Sequence, residues 1–446
     1  MSLPDPATLT LWTTRTLEAA RRAGASAAEV SVSNSRALSV GVRMGEVEQV
    51  EFQRDRDLSL SVYFGNQVGT ASTADLSDAG IAEIVEAACA IAKLAGADPC
   101  MGLADANLLY NAAAHGAPDL DLYHPYNPTP EEAAALAREC EDAAFAADKR
   151  IQQSEGASLD TREALSVYAN TDGFLGVRKG SSHSLGCSVI AKAGETMFTG
   201  HEYTSARAQA DWLAPKAVGL RAGERAAARI GAKSLSTCTA PVLFSAEMAR
   251  GLLGSFLSAI SGGALYRKAS FLLGKLDAPV MASHLQLLQN PFIPRAAGSA
   301  LYDSEGVAAQ RRTLVEAGVL RGYLLGSYSA RKLGMTSTGN ASGAYNVEVS
   351  GRTLTPDEMF AEMGTGLYVT SLMGQGVNTL TGDYSRGAEG FWVEGGKIAY
   401  PVEGITIAGH MLAMLNGIAA IGSDVDTRGG VRVGSMLLAP MTIAGD

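Results

Sequence analysis

The N-terminal fold is decided by four runs between Ala28 and Tyr63: Ala28-Glu-Val-Ser-Val-Ser33, Ala37-Leu-Ser-Val-Gly-Val42, Val47-Glu-Gln-Val-Glu-Phe52 and Leu58-Ser-Leu-Ser-Val-Tyr63. Apolar residues alternate with Ser and Glu. A period of two sends successive side chains to opposite faces, so this is a sheet covered on one face and wet on the other. Short connections make the strands antiparallel. On one side, Thr8 to Arg22 carries an apolar stripe at helical spacing and stops at Gly24. On the other, Leu76 to Leu94 returns to helical spacing and is expected to cover the sheet. The unit is a compact α+β module.

The same order recurs further on. Residues 97 to 128 hold Pro99, Gly102, Gly116, Pro118, Pro125 and Pro128 and read as a linker. Thr129-Pro-Glu-Glu132 then starts a helix that runs to about Lys149, with Thr129 as N-cap and Glu132 in the reciprocal position. Strands are expected over Ile151 to Leu159, Glu163 to Ala169, Phe174 to Lys179 and Ser184 to Ala191, with a turn at Thr171-Asp-Gly173. A helix over Ala210 to Ile230 closes the set. A duplication and a composite sheet are both compatible with this order. Past Thr239 the chain becomes Gly-rich. Pro241 to Phe244 reads as a buried strand, and Pro356 to Met363 and Ile407 to Ile418 as brief helices. Phe391 to Val402 reads as a hairpin turning at Gly395-Gly396. The expected class is α+β. Residues 1–235 form an N-terminal antiparallel sheet domain covered by helices, with a sub-boundary in the 97–128 linker. Residues 236–446 form a mostly antiparallel β domain with short helices.

Composition narrows the function. The chain of 446 residues has a net charge of −10, against the basic face that nucleic-acid binding needs. Charged residues are only 18% of the chain, which fits a subunit interface and equally a composition simply rich in small residues. The five cysteines include no CxxC pair, which argues against a disulfide scaffold or zinc knuckle and for reduced thiols in a cytosol. No basic and apolar leader opens the chain and no unbroken apolar window of membrane length occurs, so a cytoplasmic protein without a membrane span is expected.

Catalytic frameworks are sparse. The six histidines form no i,i+4 pair. His201-Glu202 resembles the start of HExxH, but Ser205 stands where the second histidine belongs, and the flanks suggest strand or turn. Asp119-Leu-Asp-Leu-Tyr-His124 reads as a solvated loop. There is no GxSxG elbow, and Cys238 has no basic neighbour in sequence. Gly364-Thr-Gly366 and Gly374-Gln-Gly376 lack the continuation of a nucleotide loop and suit tight turns.

The C-terminal half carries a specific series of segments. They are Ser261-Gly-Gly-Ala-Leu-Tyr-Arg-Lys-Ala-Ser-Phe271, Tyr302-Asp-Ser-Glu-Gly-Val307, Tyr323-Leu-Leu-Gly-Ser-Tyr-Ser-Ala-Arg-Lys-Leu-Gly-Met335, Thr338-Gly-Asn340, Met363-Gly-Thr-Gly-Leu367, Met373-Gly-Gln-Gly-Val-Asn378, Thr381-Gly-Asp-Tyr-Ser-Arg-Gly-Ala388, the hairpin from Gly390 to Val402, and Ile405-Thr-Ile-Ala-Gly409. In this order they closely resemble the PmbA (TldE) branch of the TldD/PmbA family. His410 departs from that pattern, where Asn is more usual.

The resemblance implies that a helix around residues 244–271 corresponds to one that carries an HExxxH zinc motif in the TldD branch. Aligned on Arg267-Lys268, the motif positions fall on Gly254, Ser255 and Ala259: a hydrogen, a hydroxyl and a methyl, which cannot supply zinc donors. A further cysteine ligand of that branch has no counterpart, since no cysteine follows Cys238. The resemblance therefore implies a cytosolic TldD–PmbA heterodimeric metallopeptidase acting on unfolded peptides, such as microcin leaders and antitoxin. Zinc would sit in the TldD-like subunit, with no cofactor and no catalytic residue in this chain, and homodimerisation is plausible when the chain is alone. Candidate partner- or peptide-binding residues are Arg267, Lys268, Arg331, Lys332, Asp383, Tyr384, Ser385 and Arg386, the last able to grip Asp383 or a foreign carboxylate. An edge at Ile398 to Val402 could accept an extended peptide. Two alternatives stay open: a regulatory binder, such as a modulator of gyrase or of a toxin system, and an autonomous peptidase.

Overall fold

A computed structural model describes residues 3–445. Helix α1 (Pro6–Arg22) is capped by the Asp5 side chain and leads into strands β1 (Ala27–Arg43), β2 (Glu46–Phe64) and β3 (Gln67–Thr73). Helix α2 (Asp78–Leu94) follows, with Ser77 as its cap. The linker contains a 3-10 turn at Ala106–Leu108 and a short α-helix, α3 (Ala112–His115). Helix α4 (Pro130–Ala147) begins at the full Thr129/Glu132 capping box that its sequence announces. It precedes β4 (Ile151–Asn170), β5 (Leu175–Ala193), β6 (Thr196–Ala206) and helix α5 (Pro215–Ala228).

These six strands form one antiparallel sheet in the order β3-β2-β1-β4-β5-β6. Two helix–three-strand–helix units thus meet at the β1–β4 pair, each with its third strand outermost. The expected short strands fuse in pairs. Residues 28–33 and 37–42 are one strand, as are 47–52 with 58–63, 151–159 with 163–169, and 174–179 with 184–191. The reason lies between the runs. Asn34-Ser35-Arg36 has neither Gly nor Pro to turn the chain, and the Arg36 guanidinium is paired with the buried Glu163 on the neighbouring strand at 2.7 Å. Tyr123 and Asn127 from the linker complete this polar bridge. Burial beside the Glu163 carboxylate pushes the Tyr123 phenol up to about 12.

The bridge divides one apolar face into two cores. α1 and α2 lie over Val30, Val32, Leu58, Leu60 and Val167, and α4 and α5 over Val40, Leu159, Leu185 and Val189. Both outer helices approach their strands at backbone distance. A methyl on Gly69 would lie 2.1 Å from the Ala88 carbonyl oxygen in α2, and one on Gly200 would lie 2.2 Å from the Ala226 nitrogen in α5.

The C-terminal half begins with β7 (Cys238–Phe244) and helix α6 (Ala246–Ala259), capped by Ser245. β7 pairs with Gly366–Met373 on one side and Met436–Ala444 on the other. Through Asp383–Glu394 and Lys397–His410 the ring closes on itself, with Ile418–Gly422 and Thr353–Leu354 appended. A five-stranded sheet of short strands, Val319–Leu320, Arg312–Glu316, Gln286–Asn290, Asn346–Ser350 and Val431–Arg432, lies beside it. Most pairs are antiparallel; three involving short strands or β7 are parallel. The hairpin turns at Gly395-Gly396, both with positive φ. The helix expected over Ile407 to Ile418 is a strand as far as His410 and a helix only over Met411–Asn416, because Ile405 and Ile407 alternate into the core.

Gly200→Ala tests the close approach of α5. Its methyl meets backbone rather than a movable side chain, so the midpoint of urea unfolding should fall by an amount worth about 2–3 kcal/mol. An exposed glycine without neighbours and without a positive φ, such as Gly96, is the control.

Candidate functional site

Helix α6 carries the positions expected to correspond to a metal motif. Its buried face, Leu252, Leu253, Phe256 and Ala259, packs into the C-terminal core. Gly254 and Ser255 are half-buried on the other side, and a methyl at Gly254 would touch nothing within 4 Å. The Ser255 hydroxyl donates back to the Gly251 carbonyl at 3.2 Å. These three residues do not fit a metal: no nitrogen, thiolate or carboxylate stands at any of them. Among the described residues, no group of three or more His, Cys, Asp or Glu side chains is placed to hold an ion.

The other expected site residues are scattered. Arg267 and Lys268 are exposed at the end of the Gly262–Tyr266 helix, where Arg267 donates to the Tyr266 hydroxyl at 3.1 Å. Arg331 and Lys332 are engaged by the chain's own linker. Arg331 donates to the carbonyls of Cys100, Gly102 and Leu103 and to Asp105, and Lys332 pairs with Asp98 at 2.8 Å. Lys332 holds the Asp98 carboxyl down at about 2.

Asp383-Tyr-Ser-Arg386 is not a turn but the start of a strand, and this changes its chemistry. Residues three apart on a strand point to opposite faces, so Arg386 does not grip Asp383. Asp383 accepts from the Thr381 hydroxyl at 2.6 Å, and Arg386 donates to the Leu372 carbonyl at 3.4 Å. Ser385 is exposed. Tyr384 is buried, which pushes its phenol up to about 12. His410 caps the Met411–Asn416 helix through Nδ1 and meets the Thr381 carbonyl through Nε2. The Ile398–Val402 run is no open edge throughout: Lys233 bridges Val402, and Met436–Ala444 pairs further along the same strand.

One concavity has no counterpart in the sequence motifs. A cleft of about 1260 Å³ separates the β6–α5 side of the N-terminal sheet from the C-terminal domain. Its far wall is the start of α6, part of strand Gly366–Met373 and the loop from Asp424 to Arg432. His201 and Glu202 lie here, on β6 rather than on a helix. Strand alternation separates them: His201 is exposed, while Glu202 is buried and receives Arg428 at 2.6 Å and Arg225 at 3.2 Å. Arg428 also forks onto Asp426, which takes Arg250 at 2.9 Å. Burial opposes the Arg428 cation, but the Asp426 carboxylate more than offsets it and holds the guanidinium above its usual range. In return, burial would raise Asp426, yet the Arg428 fork keeps it below its ordinary value. Glu247 is likewise depressed, by His201 first and then by Arg225 and Arg428. Arginines slightly outnumber carboxylates along the lining, although the chain as a whole is acidic. The cleft draws on several distant segments, none with a local motif, so only folding reveals it.

Family comparison follows this architecture. Three models of the PmbA/TldA metallopeptidases match in order: domain 1 over residues 28–92, the central domain over 123–230 and the C-terminal domain over 237–445. The chain belongs to the PmbA/TldA metallopeptidase family. Within it the chain stands on the PmbA side. It is 46% identical to metalloprotease PmbA of Escherichia coli O157:H7, over 94% of this chain and 92% of that one. It is 45% identical to the PmbA homologue of Haemophilus influenzae, over 96% and 94%, and 24% identical to that organism's TldD homologue, over 87% and 84%. A crystal structure of a candidate modulator of DNA gyrase from Bacteroides thetaiotaomicron superposes with a TM-score of 0.92 at 27% identity, covering 98% of this chain and 99% of the other. TldE from Thermococcus kodakarensis shares the fold, with a TM-score of 0.81 at 18% identity over 97% and 100%.

The ion-pair network predicts acid sensitivity. The folded-state pKa values of Asp426 and Glu247 lie below their ordinary 3.8 and 4.5. Their stabilisation is complete above those values and is lost as pH falls through the lower folded ones. The thermal midpoint should therefore drop steeply below about pH 4. Glu202→Gln, which removes one buried charge from Arg428 and Arg225 while leaving them Asp426 and Glu247, should destabilise the chain at pH 7 by about 2 kcal/mol, read by urea unfolding.

Proposed function

We propose that this chain is the non-metal-binding subunit of a two-chain metallopeptidase that acts on unfolded peptides in the cytoplasm, its partner being a TldD-like chain. The observation that carries the reading is the chemistry of α6. By the resemblance, α6 corresponds to the zinc helix of the TldD branch, and its motif positions hold Gly254, Ser255 and Ala259, none of them a metal donor. The metal in the partner would polarise the scissile carbonyl and activate water. This chain would contribute shape: walls that orient an extended peptide and keep bulk water out. The cleft between its two domains, 1–235 and 236–446, is large enough to receive a peptide segment, and its arginines suit backbone carbonyls and carboxylates. Arg267, Lys268, Asp383 and Ser385 are exposed and are the expected family residues best placed to meet a partner or a peptide. Family relatives named as metalloproteases support the reaction class, and a TldD homologue among them supports the kind of partner.

A second reading, a regulatory binder, draws on the description of the Bacteroides structure as a candidate gyrase modulator. One experiment separates the readings. The purified chain, its TldD-like counterpart and their mixture are given an unfolded peptide, with and without chelator, and zinc is measured in each. The expected result is cleavage only by the mixture, abolished by chelator, with zinc confined to the counterpart. Stoichiometric zinc and cleavage by this chain alone would make it an autonomous peptidase; no cleavage by the mixture would favour the binder. Arg267→Glu should weaken association of the two chains, or of peptide with the pair, about fivefold, read by titration calorimetry.

A further inference from the structure

Strand β6 is an outer strand of the N-terminal sheet, and its free edge forms part of one wall of the cleft. An outer strand turns the amide and carbonyl of every second residue away from its neighbour. Here the carbonyls of that row are already occupied. Arg229 donates to the Thr199 carbonyl at 3.2 Å, Arg225 to that of His201 at 2.9 Å and Arg428 to that of Tyr203 at 3.0 Å. The amides of the same row are treated differently. Tyr203 donates to the Glu202 side chain, but among the described residues no side chain or loop carbonyl accepts from Thr199, His201 or Ser205. With a guanidinium standing on each of three carbonyls, the edge presents donors. An added β-strand needs donors and acceptors in alternation, so this edge is closed to it. A group that only accepts hydrogen bonds fits.

The register of α5 shows which cation is spare. Arg221, Arg225 and Arg229 are four residues apart, about 6 Å along the helix. Thr199, His201 and Tyr203 are two apart, about 7 Å along the strand. Helix and strand run in opposite directions, since Arg229 meets Thr199 and Arg225 meets His201. Arg221 thus comes level with Tyr203, whose carbonyl is held by Arg428 of the other domain. Arg221 lines the cleft, is exposed, and has no hydrogen bond or ion pair among the described residues. Arg432 on the facing wall has none either. Arg207, at the end of β6, meets only the carbonyls of Ser181 and Ala297. Burial without a carboxylate beside it pulls the Arg207 guanidinium below its ordinary value. Two lining carboxylates lack a cationic partner. Glu224 is exposed on α5, one turn from Arg221, and Asp424 across the cleft accepts from the Ser435 amide and hydroxyl at 2.9 and 2.6 Å.

We propose that Arg221 and the Ser205 amide form a docking point for a carboxylate carried by an extended peptide, at its C-terminus or on an acidic side chain. Guanidinium and amide both donate, and a carboxylate has lone pairs for both. Arg207 and Arg432 add positive potential to this part of the cleft, and Glu224 opposes it. The proposal deepens the reading of the cleft as a peptide path and rests on it.

Four unfolded peptides of one length, each with a neutral fluorophore at the N-terminus, are titrated with the full chain and followed by anisotropy. One ends in a free carboxylate, one in an amide, one in an amide with a central Glu, and one in an amide with a central Lys. The chain is used alone and mixed with its TldD-like counterpart under chelator, which stops cleavage. At least one carboxylate-bearing peptide should bind about tenfold more tightly than the plain amide, and the one that gains identifies the source of the carboxylate. The Lys peptide should gain nothing. Arg221→Gln should reduce the preference to less than about twofold, and Glu224→Gln should widen it about twofold. Arg221 has no partner to lose, so its variant should keep the wild-type urea midpoint. Equal binding of all four peptides, or a preference that survives Arg221→Gln, overturns this proposal and leaves the peptide path standing. Absence of binding by every peptide, alone and in the mixture, overturns both.

Discussion

Strands as long as β1, β2, β4 and β5 each carry an apolar row, and those rows must leave water. Placing all the rows on one face of a single sheet demands two helix pairs to cover it, and the chain supplies them as α1 with α2 and α4 with α5. Glycine at the outermost strands lets α2 and α5 descend to backbone contact, so the cover is tight at both ends. In the middle, where neither pair reaches, the linker crosses over the Arg36–Glu163 bridge. A paired charge tolerates this gap where a bare apolar residue would not.

The same sheet sets the functional geometry. Its β6 side faces the C-terminal domain, and the two are tied across the cleft by Glu202, Arg428, Asp426 and Arg250. Each group in this tie has its charge satisfied by another, so the network fixes the spacing of the walls. Its β2 side ends without a cover. One sheet thus presents a cleft at one end and an open edge at the other.

Several features were legible without tertiary structure. The Thr129 capping box, the Gly395-Gly396 turn and the alternation from Ala28 to Tyr63 are local signals, and each describes what formed. The absent donors at Gly254, Ser255 and Ala259 are also plain in the chain. Less local features were misjudged. Short runs became long strands because neighbouring strands, not turn residues, set strand length. Asp383 and Arg386 are close in sequence and suggest a pair, but a strand sends them to opposite faces. Arg331 and Lys332 read as a basic end open to others, yet the linker far upstream in sequence engages them.

What residue order settled by itself was chemistry and period: the alternation of the N-terminal strands, the caps that open helices such as α4, and which side chain stands at each position. Both are properties of a residue and its near neighbours. Tertiary structure alone decided the joining of two modules into one sheet, the cleft assembled from distant arginines and carboxylates, and the length of β2 left bare. Those depend on which surfaces run out of partners once the chain has packed, and no window of sequence contains that sum.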